Sequence, residues 1–126
     1  MTDLARRAVA CARWRWMPGM RWIFHREEPL KAIVSRVGDT RSRDGSDVWR
    51  DAVPVLDDPA TLGCLLALVR EAWGDPRAYV FYVWGKQFFV VHIMSSKFRA
   101  PEQGPDTEFF AGSEVEALIL ALEGVP

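Results

Sequence analysis

Cysteine and histidine are scarce: Cys11, Cys64, His25 and His92 stand singly in 126 residues. No C-x-x-C or H-x-x-x-H pair preorganises two metal ligands, so a zinc site is not expected. Two distant thiols in apolar, helix-like surroundings do not make a disulfide framework, and they suit a reducing compartment. Neither charge is in excess. Sixteen Lys+Arg face seventeen Asp+Glu, which removes global basicity as a pointer to nucleic acid or an anionic membrane.

Long hydrophobic runs are missing as well. The longest apolar region, residues 78–94, is broken by Gly85-Lys86-Gln87 and His92, short of the roughly 18 to 20 residues that span a bilayer. Met1 to Ala12 carries Asp3, Arg6 and Arg7 and lacks the core of a signal peptide, so no membrane association and a cytoplasmic location are expected. There is no G-x-S-x-G elbow, P-loop, dinucleotide fingerprint or H-E-x-x-H pair. No catalytic residue, metal ligand or cofactor is assigned on this basis. His92 alternates with Val91 and Ile93 as a half-exposed strand residue would, and His25 beside Glu27 and Glu28 reads as a solvated hairpin end.

What is present is a core. Hydrophobic residues make up 49% of the chain, enough for one folded domain over residues 1–126 and too few residues for two independent cores. Asp3 is placed to cap a first helix in which Leu4, Ala8, Ala12 and Trp16 recur every four residues, until Pro18-Gly19 ends it. Met20 to His25 and Lys31 to Val37 are rich in aromatic and β-branched residues and flank Arg26-Glu27-Glu28-Pro29, the pattern of a hairpin. The run from Gly38 to Asp47 has no apolar residue and reads as a surface loop, with Val48-Trp49-Arg50 starting a third strand.

Asp57, Asp58 and Pro59 open a helix that Gly74 and Pro76 close. Its spacing places Leu62, Leu65, Leu66, Val69 and Trp73 on one face. Tyr79 to Trp84 and Gln87 to Met94 flank Gly85-Lys86 as a type II′ hairpin, which pairs Trp84 with Gln87, Tyr82 with Phe89, Val80 with Val91, Val83 with Phe88 and Phe81 with Val90. Both faces of this hairpin are apolar. The hairpin is therefore either covered on both faces or sets one face against another chain, in which case the candidate protein interface is Tyr82, Trp84, Phe89 and Val91, with a homodimer as the simplest closed solution. Lys97 to Pro105 reads as loop, Thr107 to Phe110 as a short strand, and Ser113 with Glu116 as the capping box of a last helix ending at Gly124.

The pattern implies an α+β fold, an antiparallel sheet of hairpins packed against two or three helices in the order α-β-β-(β)-α-β-β-(β)-α. Charge divides unevenly along it. Residues 1–36 hold eight basic and three acidic groups, whereas residues 37–126 hold eight basic and fourteen acidic. Either the basic N-terminal unit packs on the acidic remainder, or Arg13, Trp14, Arg15 and Trp16 form a polyanion-binding surface.

Three segments carry a resemblance: Leu4-Ala5-Arg6-Arg7-Ala8 running into Trp14-Arg15-Trp16-Met17-Pro18-Gly19-Met20, the stretch from Asp57 to Gly74, and Glu114-Val115-Glu116-Ala117-Leu118 with Ala121-Leu122-Glu123. Over about a third of its length the chain thereby resembles a family of short hypothetical proteins encoded by tailed phages and prophages. That family has no established activity, so the resemblance implies phage origin and a bacterial cytoplasm and carries over no site residue. The expected function is that of a non-catalytic accessory protein that binds a host or phage protein, for instance as an inhibitor of a host defence. The alternative is a small nucleic-acid-binding protein. The order of its second half is similar to that of double-stranded RNA-binding domains, but Ser113-Glu114-Val115-Glu116 is acidic where those domains place lysines against phosphate.

Overall fold

The computed structural model describes residues 2–24, 34–36, 52–94 and 107–126, and over these the chain is a mixed helix and strand protein of the α+β class. The elements are α1 (Thr2–Ala10), β1 (Arg21–Phe24), β2 (Val34–Arg36), β3 (Ala52–Pro54), α2 (Pro59–Trp73), β4 (Tyr79–Val83), β5 (Phe88–Ile93), β6 (Thr107–Ala111) and α3 (Glu114–Glu123). Among the described residues there are two sheets instead of one, ordered β2-β1-β3 and β4-β5-β6, with every pairing antiparallel. Each hairpin gains a third strand from sequence further on, β3 beside β1 and β6 beside β5. The Arg26 to Pro29 connection, His25, the polar run from Gly38 to Asp47, the strand expected at Val48 to Arg50 and the loop from Lys97 to Pro105 lie outside the described residues.

The first helix is shorter than its apolar spacing suggested. It stops at Ala10, and Cys11 N–H turns back to the Ala8 carbonyl at 3.1 Å while Trp14 N–H reaches the Cys11 carbonyl at 3.0 Å. The reason lies in Arg13-Trp14-Arg15-Trp16, whose period of two suits extended chain rather than helix. Both indoles pack against the core, edge to face at 5.4 Å. Within α1, Ala5 and Ala8 are buried, and α1 lies against α3.

Helix α2 forms as its boundary residues dictate. The Asp58 carboxylate accepts from Thr61 N–H and from the Thr61 hydroxyl, both at 3.0 Å, which satisfies a donor of the open first turn. The Thr61 oxygen in turn accepts the Arg21 N–H at 2.8 Å, so a buried polar chain ties β1 to the start of α2. Gly74 closes the helix at φ 69, its N–H directed at the carbonyls of Arg70 and Glu71, a left-handed conformation that favours glycine. The buried face is rotated from the expected one: Leu65, Leu68, Val69, Ala72 and Trp73 are buried, whereas Leu62 and Leu66 are only half-buried. Leu66 therefore lies at the margin of the core, because α2 turns its Leu65–Leu68–Ala72 stripe inward.

Helix α3 opens on Ser113, whose hydroxyl accepts the Glu116 N–H at 3.1 Å. Val115, Ala117, Leu118, Ile119, Ala121 and Leu122 are all buried, a width no single covering surface explains. It is the central helix, packed on α1, α2 and the β4-β5-β6 sheet. The Trp73 indole N–H donates to the Ala121 carbonyl at 2.8 Å, and the fully buried Asp75 carboxylate accepts Arg77 N–H at 2.9 Å and Met94 N–H at 2.8 Å. These bonds fix the second sheet against the helices.

Candidate protein interface

The hairpin register inferred from the sequence is the observed one, with Val80↔Val91, Phe81↔Val90, Tyr82↔Phe89 and Val83↔Phe88. The turn differs in one detail. Its hydrogen bond runs from Lys86 N–H to the Val83 carbonyl at 3.4 Å, so Gly85, at φ 90, occupies the third position of the turn rather than the second. Gln87 follows at φ 56. The expected pairing of Trp84 with Gln87 is consequently absent, and Trp84 stands outside the ladder, 88% exposed at the tip.

Strand β6 extends the register with Phe89↔Ala111, Val90↔Phe110, Val91↔Phe109 and Ile93↔Thr107. Because side chains alternate across a sheet, this sorts the residues into two faces. Val80, Phe89, Val91, Ile93, Phe109 and Ala111 all belong to the helical core, and Phe109 lies 5.7 Å from Trp73, ring to ring. The opposite face carries Tyr79, Phe81, Val83, Phe88, Val90 and Phe110, none of which joins that core. Its rings touch one another: Tyr79 with Phe81 at 5.5 Å, and Phe88 with Phe110 at 5.4 Å. Phe110 is 52% and Tyr79 40% exposed.

The outward face is therefore the opposite of the one selected from sequence. Val91 has no accessible surface and Phe89 packs on the core, while Tyr82 is half-buried and in ring contact with Phe89 at 5.0 Å and Trp84 at 5.3 Å. Of Tyr82, Trp84, Phe89 and Val91, Trp84 alone is openly accessible. Sequence could not choose between two equally apolar faces, but it held a clue to Phe110. Phe109-Phe110 on one short strand must send one ring inward and the other out.

At the end of the outer face, His92 Nδ1 lies 3.0 Å from Glu108 Oε1 and its ring stacks on Tyr79 at 5.5 Å. Among the described residues no three His, Cys, Asp or Glu side chains gather as a metal site would require. Cys64 is half-buried beside the Pro18 carbonyl. Burial, with a smaller contribution from Asp58, pushes its thiol pKa up, which makes it a poorer nucleophile at neutral pH.

The N-terminal Arg/Trp segment leaves Arg13 and Arg15 exposed. Arg15 pairs with Glu71 at 2.5 Å, Arg7 with Glu123 at 2.6 Å and with Glu116 at 3.8 Å, and Arg13 donates to the Pro126 carbonyl at 3.3 Å. The hydrogen bond to Glu123 raises the Arg7 pKa. Arg13 and Arg15 line a shallow cleft of about 120 Å3 with Leu68, Glu71 and Ala72, while Trp14 and Trp16 turn to the core. Arg7 and Arg15 of the basic N-terminal unit thus meet carboxylates of their own chain.

No protein-family model, no curated protein and no solved structure matches the chain. No helix among the described residues is long and apolar enough to cross a membrane.

Proposed function

We propose that this is a non-catalytic accessory protein of a tailed phage or prophage, acting in the bacterial cytoplasm by binding a host or phage protein, with inhibition of a host defence as the role such binding would serve. The observation that carries the binding part is the outer face of the β4-β5-β6 sheet, where Tyr79, Phe81, Val83, Phe88 and Phe110 form an aromatic surface outside the helical core. Aromatic residues dominate the energetic centres of protein interfaces. The phage attribution rests on the three resembling segments quoted from the sequence.

The chemistry of the face selects the partner class. Its ionisable side chains beyond Tyr79 are the paired His92 and Glu108 at one end, so an apolar protein surface fits it and a phosphate backbone does not. The nucleic-acid alternative rests on Arg13 and Arg15, which are exposed, and Arg15 already holds Glu71. The test is affinity capture from phage-infected bacteria with the unsubstituted chain and with Phe110→Glu in parallel. A protein retained by the first and lost from the second supports the reading. Identical captured sets, or nuclease-sensitive capture alone, overturn it.

A further inference from the structure

Among the described residues, strand β4 lies at the edge of its sheet and pairs with β5 alone. No residue of Tyr79-Val80-Phe81-Tyr82-Val83 is fully buried, on either face. Val80 and Tyr82 point to the helical side yet stay half-exposed, because α3 lies mainly over β5 and β6. The strand also has none of the usual guards of a free edge, being without charge, proline or glycine over all five residues. The opposite edge, β6, carries Glu108.

We propose that β4 pairs antiparallel with β4 of a second copy about a two-fold axis at Phe81, joining two three-stranded sheets into one of six strands. The sequence of the strand is self-complementary in that register. Tyr79 faces Val83 of the other copy and Val80 faces Tyr82, so each tyrosine meets a valine, an aromatic and β-branched pairing that stabilises antiparallel ladders. Phe81 alone meets itself. Alternation is preserved across the axis, with Tyr79, Phe81 and Val83 staying on the outer face and Val80 and Tyr82 on the helical face. Pairing through β6 instead would bring Glu108 to the junction, where an uncharged ladder is broken by carboxylates.

The pairing also bears on the proposed partner-binding face, although it does not depend on it. Three strands of five residues cover roughly 240 Å2, from strand spacings of about 4.8 Å and about 3.3 Å per residue. This is below the roughly 300 to 600 Å2 of the largest apolar patches on typical monomers, patches that are often functional. Two joined sheets present about twice that area, without interruption.

The experiment is sedimentation at high concentration combined with site-directed cross-linking of the full chain. The expected mass of the unsubstituted protein is twice 14.3 kDa, and Phe81→Lys, which sets two cations on the axis, lowers it to that of a single chain. Opposed residues of an antiparallel pair have Cα atoms about 4.5 to 5.5 Å apart, within disulfide range. Phe81→Cys should therefore form a covalent dimer on mild oxidation far faster than Trp84→Cys, whose two copies would lie about 20 Å apart, with the unsubstituted Cys11 and Cys64 chain as baseline. The cross-linking arm stands even if Phe81→Lys fails to fold. A single-chain mass for the unsubstituted protein, a dimer mass retained in folded Phe81→Lys, or equal cross-linking at positions 81 and 84 overturns the pairing. Capture of a partner by a protein that sediments as a single chain would sink the dimer and leave the proposed function standing.

Discussion

The two faces of the β4-β5-β6 sheet have nearly the same composition and different fates. The inner row Val80-Val91-Phe109 joins the helical core, and the outer row Phe81-Val90-Phe110 does not. Val90 is nonetheless 1% exposed, set among Phe81, Phe88, His92 and Phe110 on its own face. Hydrophobicity thus marks both faces as apolar, and only the placement of α3 says which is interior. A central helix this apolar can cover one side of one sheet while touching α1 and α2, and among the described residues none of the outer row joins the core that the helices form.

The contrast can be broken most directly in the core that creates it. Leu118 and Leu65 are fully buried, and Leu118→Ala or Leu65→Ala is expected to cost about 2 to 5 kcal/mol in chemical denaturation. Leu66→Ala, at the core margin, should cost clearly less than Leu65→Ala. Equal losses would show that the inward face of α2 is misassigned.

A sharper test uses the adjacent phenylalanines of β6. Phe109 packs on Trp73, and a Cβ added at Gly124 would meet its ring at 2.6 Å. Phe109→Ala should cost about 3 kcal/mol, as for other core phenylalanines, whereas Phe110→Ala should cost under about 1 kcal/mol, as surface substitutions do. Similar costs measured by urea unfolding would mean that the outer face is covered in the folded chain.

Next in size is the polar link between the first sheet and α2. Asp58→Ala removes the cap of α2 and the acceptor that holds the Thr61 hydroxyl toward Arg21, with an expected loss of about 1 to 2 kcal/mol. Asp58→Asn should recover most of it, since an amide oxygen can still accept. The smallest effect is at Trp14, whose indole N–H is buried without an acceptor. Trp14→Phe gives up some apolar contact and removes an unsatisfied donor, so thermal unfolding should move by no more than about 1 kcal/mol in either direction.

Much of the local structure was legible in the sequence because it is decided by neighbours in the chain. Asp58, Pro59 and Gly74 bound α2, Ser113 and Glu116 open α3, and Gly85 places the β4-β5 turn closely enough to set its register. Each rests on hydrogen bonds or backbone conformations within a few residues. The first helix was overrun because its four-residue spacing continued into Trp16, while the competing two-residue alternation of Arg13-Trp14-Arg15-Trp16 won by burying both indoles.

The candidate site was legible only in part. Sequence alone determined that the hairpin is apolar on both sides, that its strands pair in a given register, and that the charge surplus at the N-terminus is balanced by acidic residues later in the chain. Tertiary structure decided that Phe110 and Tyr79 face outward while Val91 vanishes into the core, and that Arg7 and Arg15 meet Glu123 and Glu71. Alternation along a strand is a local property fixed by backbone geometry. Which of two apolar faces a helix covers, and which carboxylate an arginine reaches, depends on how distant segments pack, and no periodicity within a strand or a helix encodes that choice.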